Sequence, residues 1–192
     1  MTLSNPRDPN NWDEAYNKKS PLWDYIGNSA VWHCPKDPST ATPQGQRVLR
    51  IRSYRLNNWV GGPGWGSSGP WWPQNSTGWK VYLNISHLTD PGPNRTFAFL
   101  DEREDSIDDG YWPVEMNGYP DQPALARIVD YPADWHNRGA NLSFADGHTE
   151  SWRWRDLRTM PRHQSKDLPL DQPSANNPDI LRLQEASTRK VL

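Results

Sequence analysis

The chain has 192 residues, of which 34% are hydrophobic, with a mean hydropathy of −0.98 and a formal net charge of −2. The near-neutral balance leaves no electrostatic footprint for nucleic acid, and no basic amphipathic helix or apolar run of about 20 residues marks a membrane-binding or membrane-spanning segment. The 12 tryptophans separate it from a disordered polar chain, because each large aromatic buries much area and a few can build a core. This length fits one domain with appendages. The single cysteine, Cys34, has no internal disulfide partner.

Met1 to Lys19 is polar and rich in Asn, Asp and Pro, and reads as an irregular lead-in. Ser20 to Gly27 predicts a short helix: Ser20 caps it, Pro21 suits its first position and Gly27 ends it. Leu22, Trp23 and Ile26 would share its buried side. Trp32 to Pro38 is a turn punctuated by two prolines. Gln46 to Leu56 reads as the first strand, with Leu49, Ile51 and Ser53 on one face. Gly61 to Gly78 is a long loop rich in Gly, Pro and Trp, and loops of that length are often functional.

Asn84 to His87 predicts one helical turn. Arg95 to Leu100 is a strand with Phe97 and Phe99 on one face, and it runs into the acidic stretch Asp101 to Gly110. Tyr111 to Val114 predicts a short return strand, and Ala126 to Val129 another extended run. Ala140 to Phe144 and Thr149 to Trp154 alternate apolar and polar residues around Asp146-Gly147, a strong tight-turn signal, and so predict a β-hairpin. Met160 to Asn177 is a polar extended tail. Pro178 to Ala186 closes the chain as a short helix, with Ile180, Leu181 and Leu183 available for packing. The fold class is therefore α+β: a small antiparallel β-sheet that includes Val48–Leu56, Thr96–Leu100, Ala140–Phe144 and Thr149–Trp154, with short helices and long Trp/Gly/Pro-rich loops. Residues 1–19 form the lead-in, 20–158 the globular head, and 159–192 the polar tail with its helix.

Several blocks occur in a defined order: Cys34-Pro-Lys-Asp37, Arg52-Ser-Tyr-Arg-Leu-Asn57, Asp101-Glu102, and His136 followed by nine residues and Asp146-Gly147. Together with the closing Ile180 to Gln184, they resemble the prepilin-type processing-associated family. That family is related to type II secretion pseudopilins and type IV pilin-like proteins. The resemblance runs from about Ser20 to Gln184. Family members begin with a basic segment, a prepilin peptidase site and a long hydrophobic methylation helix, which this sequence lacks.

The resemblance implies a non-enzymatic structural subunit, the pseudopilin-like globular head of a type II secretion-like system. The full-length form would be anchored in the inner membrane by the missing helix alone. Its head would face the periplasm or the cell exterior, among other pilin-like subunits. The head by itself is expected to be a monomer.

His136, Asp146 and Gly147 are then the structural signature, with Asp146 in the hairpin turn and His136 fixing its base. Two metal readings compete with this one. His136, Asp146 and His148, with Asp101 or Glu102, offer imidazole and carboxylate ligands suited to zinc in a metal-dependent hydrolase. Asp101, Glu102, Asp105, Asp108 and Asp109 offer oxygen ligands for calcium, which major pseudopilins bind in a C-terminal loop. Their spacing is not that of an EF-hand, and a solvated acidic turn is the commoner use of such a stretch. No other cofactor is implied. Trp65, Trp71, Trp72 and Trp79 would stack on sugar rings if the chain were an extracellular carbohydrate-binding module, whereas aromatics under a loop more often serve a core. Cys34 beside His33 is a poor nucleophile–base pair, because neighbouring side chains of an extended segment point apart.

Overall fold

The computed structural model describes residues 5–62, 64, 78–163 and 166–191. Near the start lie the short helices α1 (Ala15–Lys18) and α2 (Trp23–Ile26). The strands follow in order: β1 (Thr40–Ala41), β2 (Val48–Leu49), β3 (Tyr54–Asn57), β4 (Phe97–Asp101), β5 (Tyr111–Trp112), β6 (Arg127–Ile128), β7 (Gly139–Phe144), β8 (Thr149–Arg153) and β9 (Gln172–Pro173). Helix α3 (Pro178–Glu185) comes near the C-terminus. A five-stranded sheet in the order β5-β3-β4-β7-β8 is flanked by the two-stranded pairs β1-β2 and β6-β9. The fold is α+β, with small, mainly antiparallel sheets and few helices. No helix among the described residues is long and apolar enough to cross a membrane.

The hairpin forms where alternation and Asp-Gly predicted it. Gly139 pairs with Arg153 and Ser143 with Thr149. Gly147 adopts a φ of 94°, which only glycine tolerates cheaply, and the Phe144 N–H donates to the His148 carbonyl at 2.9 Å to close the turn. A Cβ at Gly139 would collide with the Trp152 carbonyl, so this end of the hairpin also requires glycine. Ala140, Leu142 and Phe144 share the buried face with Trp152 on β8, and Trp154 just beyond it packs edge-on against Trp152.

The expected strand from Gln46 to Leu56 is interrupted. Ile51 and Ser53 give their N–H groups to the N-terminal segment instead of to a sheet neighbour. The Ile51 N–H donates to the Asn11 carbonyl at 3.0 Å, the Ser53 N–H to the Trp32 carbonyl at 2.9 Å, and Arg50 Nη1 to Asn11 Oδ1 at 2.9 Å. Val48–Leu49 therefore pairs only with β1, and β3 begins at Tyr54. On β4 the register shifts between Phe97 and Phe99, a bulge that leaves Phe97 buried and Phe99 half-buried, so the two do not share a buried face. Strand β5 pairs with β3 in parallel, not as a return strand.

The helix expected over Ser20–Gly27 is four residues long and ends at Gly27 with a φ of 60°. Its supposed inner side is not in the core: Leu22 is exposed, while Trp23 and Ile26 are half-buried. Helix α3 is tied in more firmly. Asn177 caps it, accepting from the N–H groups of Asp179 and Ile180, and Pro178 occupies its first turn. Ile180, Leu183 and Ala186 join Trp59, Trp112, Leu142 and Trp152 in one core, so residues on both sides of position 159 share it. The Arg182 guanidinium lies 3.5 Å from the centre of the Trp152 ring, locking α3 onto the hairpin.

Candidate functional site

Three separate segments converge at the end of β4. The first is the Cys34-Pro-Lys-Asp37 turn. The Asp37 N–H donates to the Cys34 carbonyl at 2.9 Å, and the Ser53 hydroxyl bridges the turn to the approach to β3, donating to Asp37 Oδ2 at 2.6 Å and accepting from the Cys34 N–H at 3.0 Å. The second is Asp101, the last residue of β4. The third is the turn before β7, where Asn137 and Arg138 both take positive φ, and the His136 N–H donates to the Gly139 carbonyl at 3.1 Å. This turn carries His136 to the end of β4.

The resulting geometry is tight. Cys34 Sγ lies 3.3 Å from His136 Nε2, and Asp101 Oδ2 lies 2.9 Å from the same nitrogen. Asp101 Oδ1 accepts from the Asn141 N–H at 2.6 Å. The Asn141 carboxamide nitrogen is 3.1 Å from His136 Nε2, and its oxygen accepts from the Ser151 hydroxyl at 2.6 Å. Cys34 and Asp101 are buried, and His136 is half-buried. Burial raises the Asp101 carboxyl above its ordinary range, opposed chiefly by the Asn141 N–H and then by His136. Burial also raises the Cys34 thiol, opposed by the Lys36 amide and reinforced by Asp101.

This is not the arrangement of a nucleophile–base pair oriented by an acid. That chemistry places thiol and carboxylate on opposite nitrogens of the imidazole. Here both address Nε2. Three ligand-type atoms lie close together, and among the described residues this is the one group of three or more His, Cys, Asp or Glu whose ligand atoms all lie within 4.8 Å of each other.

The other expected sites are dispersed. Asp146 and His148 sit at the far turn of the hairpin, exposed, and do not join His136. His148 Nδ1 is 2.6 Å from Asp146 Oδ1, and its ring stacks on Phe144 with centroids 4.4 Å apart. The acidic stretch is not gathered around one point either. Glu102 faces Arg55 at 3.2 Å and accepts from the Ser106 hydroxyl at 3.1 Å. Asp105 pairs with Arg103 through two contacts of 2.5 and 2.8 Å. Asp109 accepts from the Tyr111 N–H at 2.7 Å, and Asp108 is exposed. Alternation along β4 explains the separation, since it sends Asp101 and Glu102 to opposite faces of the sheet.

Burial, against the opposing charge of Arg55, pushes Glu102 up to about 8. Asp130, buried nearby, is raised further by Glu102, Asp108 and Asp109, after burial itself. Trp65, Trp71 and Trp72 lie outside the described residues. Trp79 is partly buried against the core, tilted on Tyr119 at 6.2 Å, with Lys190 Nζ 5.7 Å from its centroid.

As the sequence implied, Cys34 is not paired with the adjacent His33, which turns to Asp37 at 3.9 Å. The true neighbour of Cys34, His136, is 102 residues away. The only sequence signal for that contact was that the cysteine block and the histidine block occur together. Beside the site lies an apolar-walled cleft of about 590 Å³, bordered by Leu22, Ile26, Trp32, Tyr54 and Asn141. No family model matches the chain, and neither does any curated protein or any solved structure.

Proposed function

We propose that this chain is the globular head of a pilin-like subunit, a structural and not a catalytic protein, which joins other such subunits through an N-terminal helix outside this sequence. The observation that supports the reading is where the ordered blocks go. Cys34, Asp37, Ser53, Asp101 and His136 come from four of the blocks that carry the resemblance, and they contact one another. Asn57, from the second block, donates through Nδ2 to the Phe97 carbonyl at 2.9 Å and ties β3 to the start of β4. Residues so used tie distant parts of the head together. A catalytic set would instead aim its reactive atoms at a substrate. In this reading the shared signature is a folding signature, and the exposed surface is left to vary with the assembly partner.

The test is made on the native protein in its source cells. Antibodies raised to the head should find it in the membrane fraction after alkaline extraction, and accessible to an impermeant label once the outer layer is opened. A protein recovered wholly from the soluble cytosol would defeat the reading.

A further inference from the structure

We propose that Cys34, Asp101 and His136 form a zinc-binding site. The set combines one sulfur, one imidazole nitrogen and one carboxylate oxygen, the donor types that zinc takes up in proteins. The three ligand atoms already lie within 4.8 Å of one another. In a tetrahedral zinc site with bonds of about 2.3 Å to sulfur and about 2.0–2.2 Å to nitrogen and oxygen, the S···N and N···O edges would be about 3.6 and 3.4 Å. The observed edges are 3.3 and 2.9 Å. These two edges are thus short by about half an ångström or less, a gap that small side-chain rotations can open, and the third edge is within 4.8 Å.

An independent observation comes from the carboxylate. Asp101 is 0% exposed, and its Oδ2 has no hydrogen-bond partner despite lying 2.9 Å from His136 Nε2. A buried carboxylate oxygen left in that state is costly. A cation between Oδ2, Nε2 and Sγ removes the cost. The charges also balance: a thiolate, a carboxylate and a neutral imidazole around a divalent ion sum to zero, which suits a buried site.

The surroundings fit a metal centre as well. Asp101 Oδ1 is held by the Asn141 N–H, so the carboxylate is already oriented. Asn141 and Tyr54 also border the adjoining cleft, so the site lies next to space from which a water could supply a fourth ligand. The ion would bind the N-terminal turn, the end of β4 and the base of the hairpin together. Such a link joins segments far apart in the chain and makes metal binding part of folding. It holds whether or not the chain is a pilin-like head, since nothing in it depends on a filament.

The deciding experiment titrates the purified chain with cobalt(II) and with zinc. Cys34 is the only cysteine, so a near-ultraviolet thiolate-to-cobalt charge-transfer band saturating at one equivalent assigns the sulfur ligand without any variant. Zinc should displace the cobalt and raise the melting temperature above that in chelator. His136→Gln should weaken zinc binding by more than the roughly 10–100-fold that follows loss of an outer-sphere partner. The pair Asp146→Asn and His148→Gln should leave stoichiometry and affinity unchanged. The proposal is overturned if stoichiometric cobalt gives no charge-transfer band, or if metal binding is lost with Asp146 and His148 instead of with His136.

Discussion

The same hairpin carries two Asp–His contacts, one at each end, and they behave oppositely. At the turn, His148 meets Asp146 at 2.6 Å, with both side chains well exposed. At the base, His136 meets Asp101 at 2.9 Å, with Asp101 wholly buried. At the turn, hydrogen bonds from His148 draw the Asp146 carboxyl below its ordinary value. At the base, burial outweighs the histidine and drives Asp101 upward. The shorter contact is therefore the weaker determinant of the fold. In water an ion pair is screened and replaces good solvation, whereas a buried carboxylate depends on each partner it has. Environment, not distance, should then rank the two pairs.

The largest effect should come from removing the buried acid. Asp101→Ala, in chelator, should cost roughly 2–3 kcal/mol in denaturant unfolding, since it leaves the buried Asn141 N–H without its acceptor and takes the close contact from His136. A loss below about 1 kcal/mol, the range of exposed pairs, would erase the contrast between the two ends. His136→Ala should come next, at about 1–3 kcal/mol, because its half-buried ring partly regains water while Asp101 stays dry. If it cost more than Asp101→Ala, the ring's packing and not the acid would be the anchor.

A third buried carboxylate separates burial from the histidine. Asp130 has no imidazole beside it, and its Oδ2 lacks a hydrogen-bond partner. The charges facing it are Glu102, Asp108, Asp109 and Arg55, and its carboxyl is raised well above the ordinary value by burial and then by the three acids. A folded-state value above the unfolded one means that the folded chain binds the extra proton. Stability from this group is then fully present below about pH 4 and is lost as pH rises through the folded value, with Glu102 adding the same trend up to about 8. Asp130→Asn should therefore unfold at higher denaturant than wild type at pH 8 and match it near pH 4. Equal midpoints at both values would show that Asp130 keeps its charge without cost.

Much of the sheet was legible in the sequence. Alternation around Asp146-Gly147 located the hairpin, because a two-residue period and a turn glycine are local properties. The strand before it was misjudged for a tertiary reason. Ile51 and Ser53 alternate as a strand should, but Asn11 and Trp32 take their N–H bonds, and no local pattern announces that competition. The bulge in β4 likewise depends on fitting β7, not on Phe97 or Phe99 themselves. For the site, His136 and Asp101 were both singled out, yet Asp146 and His148 were assigned to them because of proximity in sequence. Cys34 was the missing third, hidden by its separation from His136 and by the nearer His33.

The smallest effect belongs to the turn, and it is the sharpest check on the comparison. Asp146 does two jobs: its Oδ1 accepts from the His148 N–H at 3.1 Å, and it pairs with the His148 ring. Asp146→Asn keeps an oxygen in place for the N–H and removes only the charge. His148→Gln removes the imidazole and with it the stack on Phe144. The Asp146 carboxyl is lowered, so its contribution is present above its ordinary value of 3.8 and is lost as pH falls through the folded value. The His148 imidazole is raised, mainly by Asp146, so its contribution is present below its ordinary value of 6.5 and is lost as pH rises through the folded value. The ion pair thus acts only between those limits. Within that window Asp146→Asn should lower the melting temperature slightly in dilute buffer, and salt at about 0.5 M should erase the difference by screening. Any loss left in His148→Gln at high salt measures the ring stack. A large loss in Asp146→Asn that persists in salt would mean that the exposed pair anchors the fold as firmly as the buried one, and the distinction drawn between the two ends of the hairpin would fail.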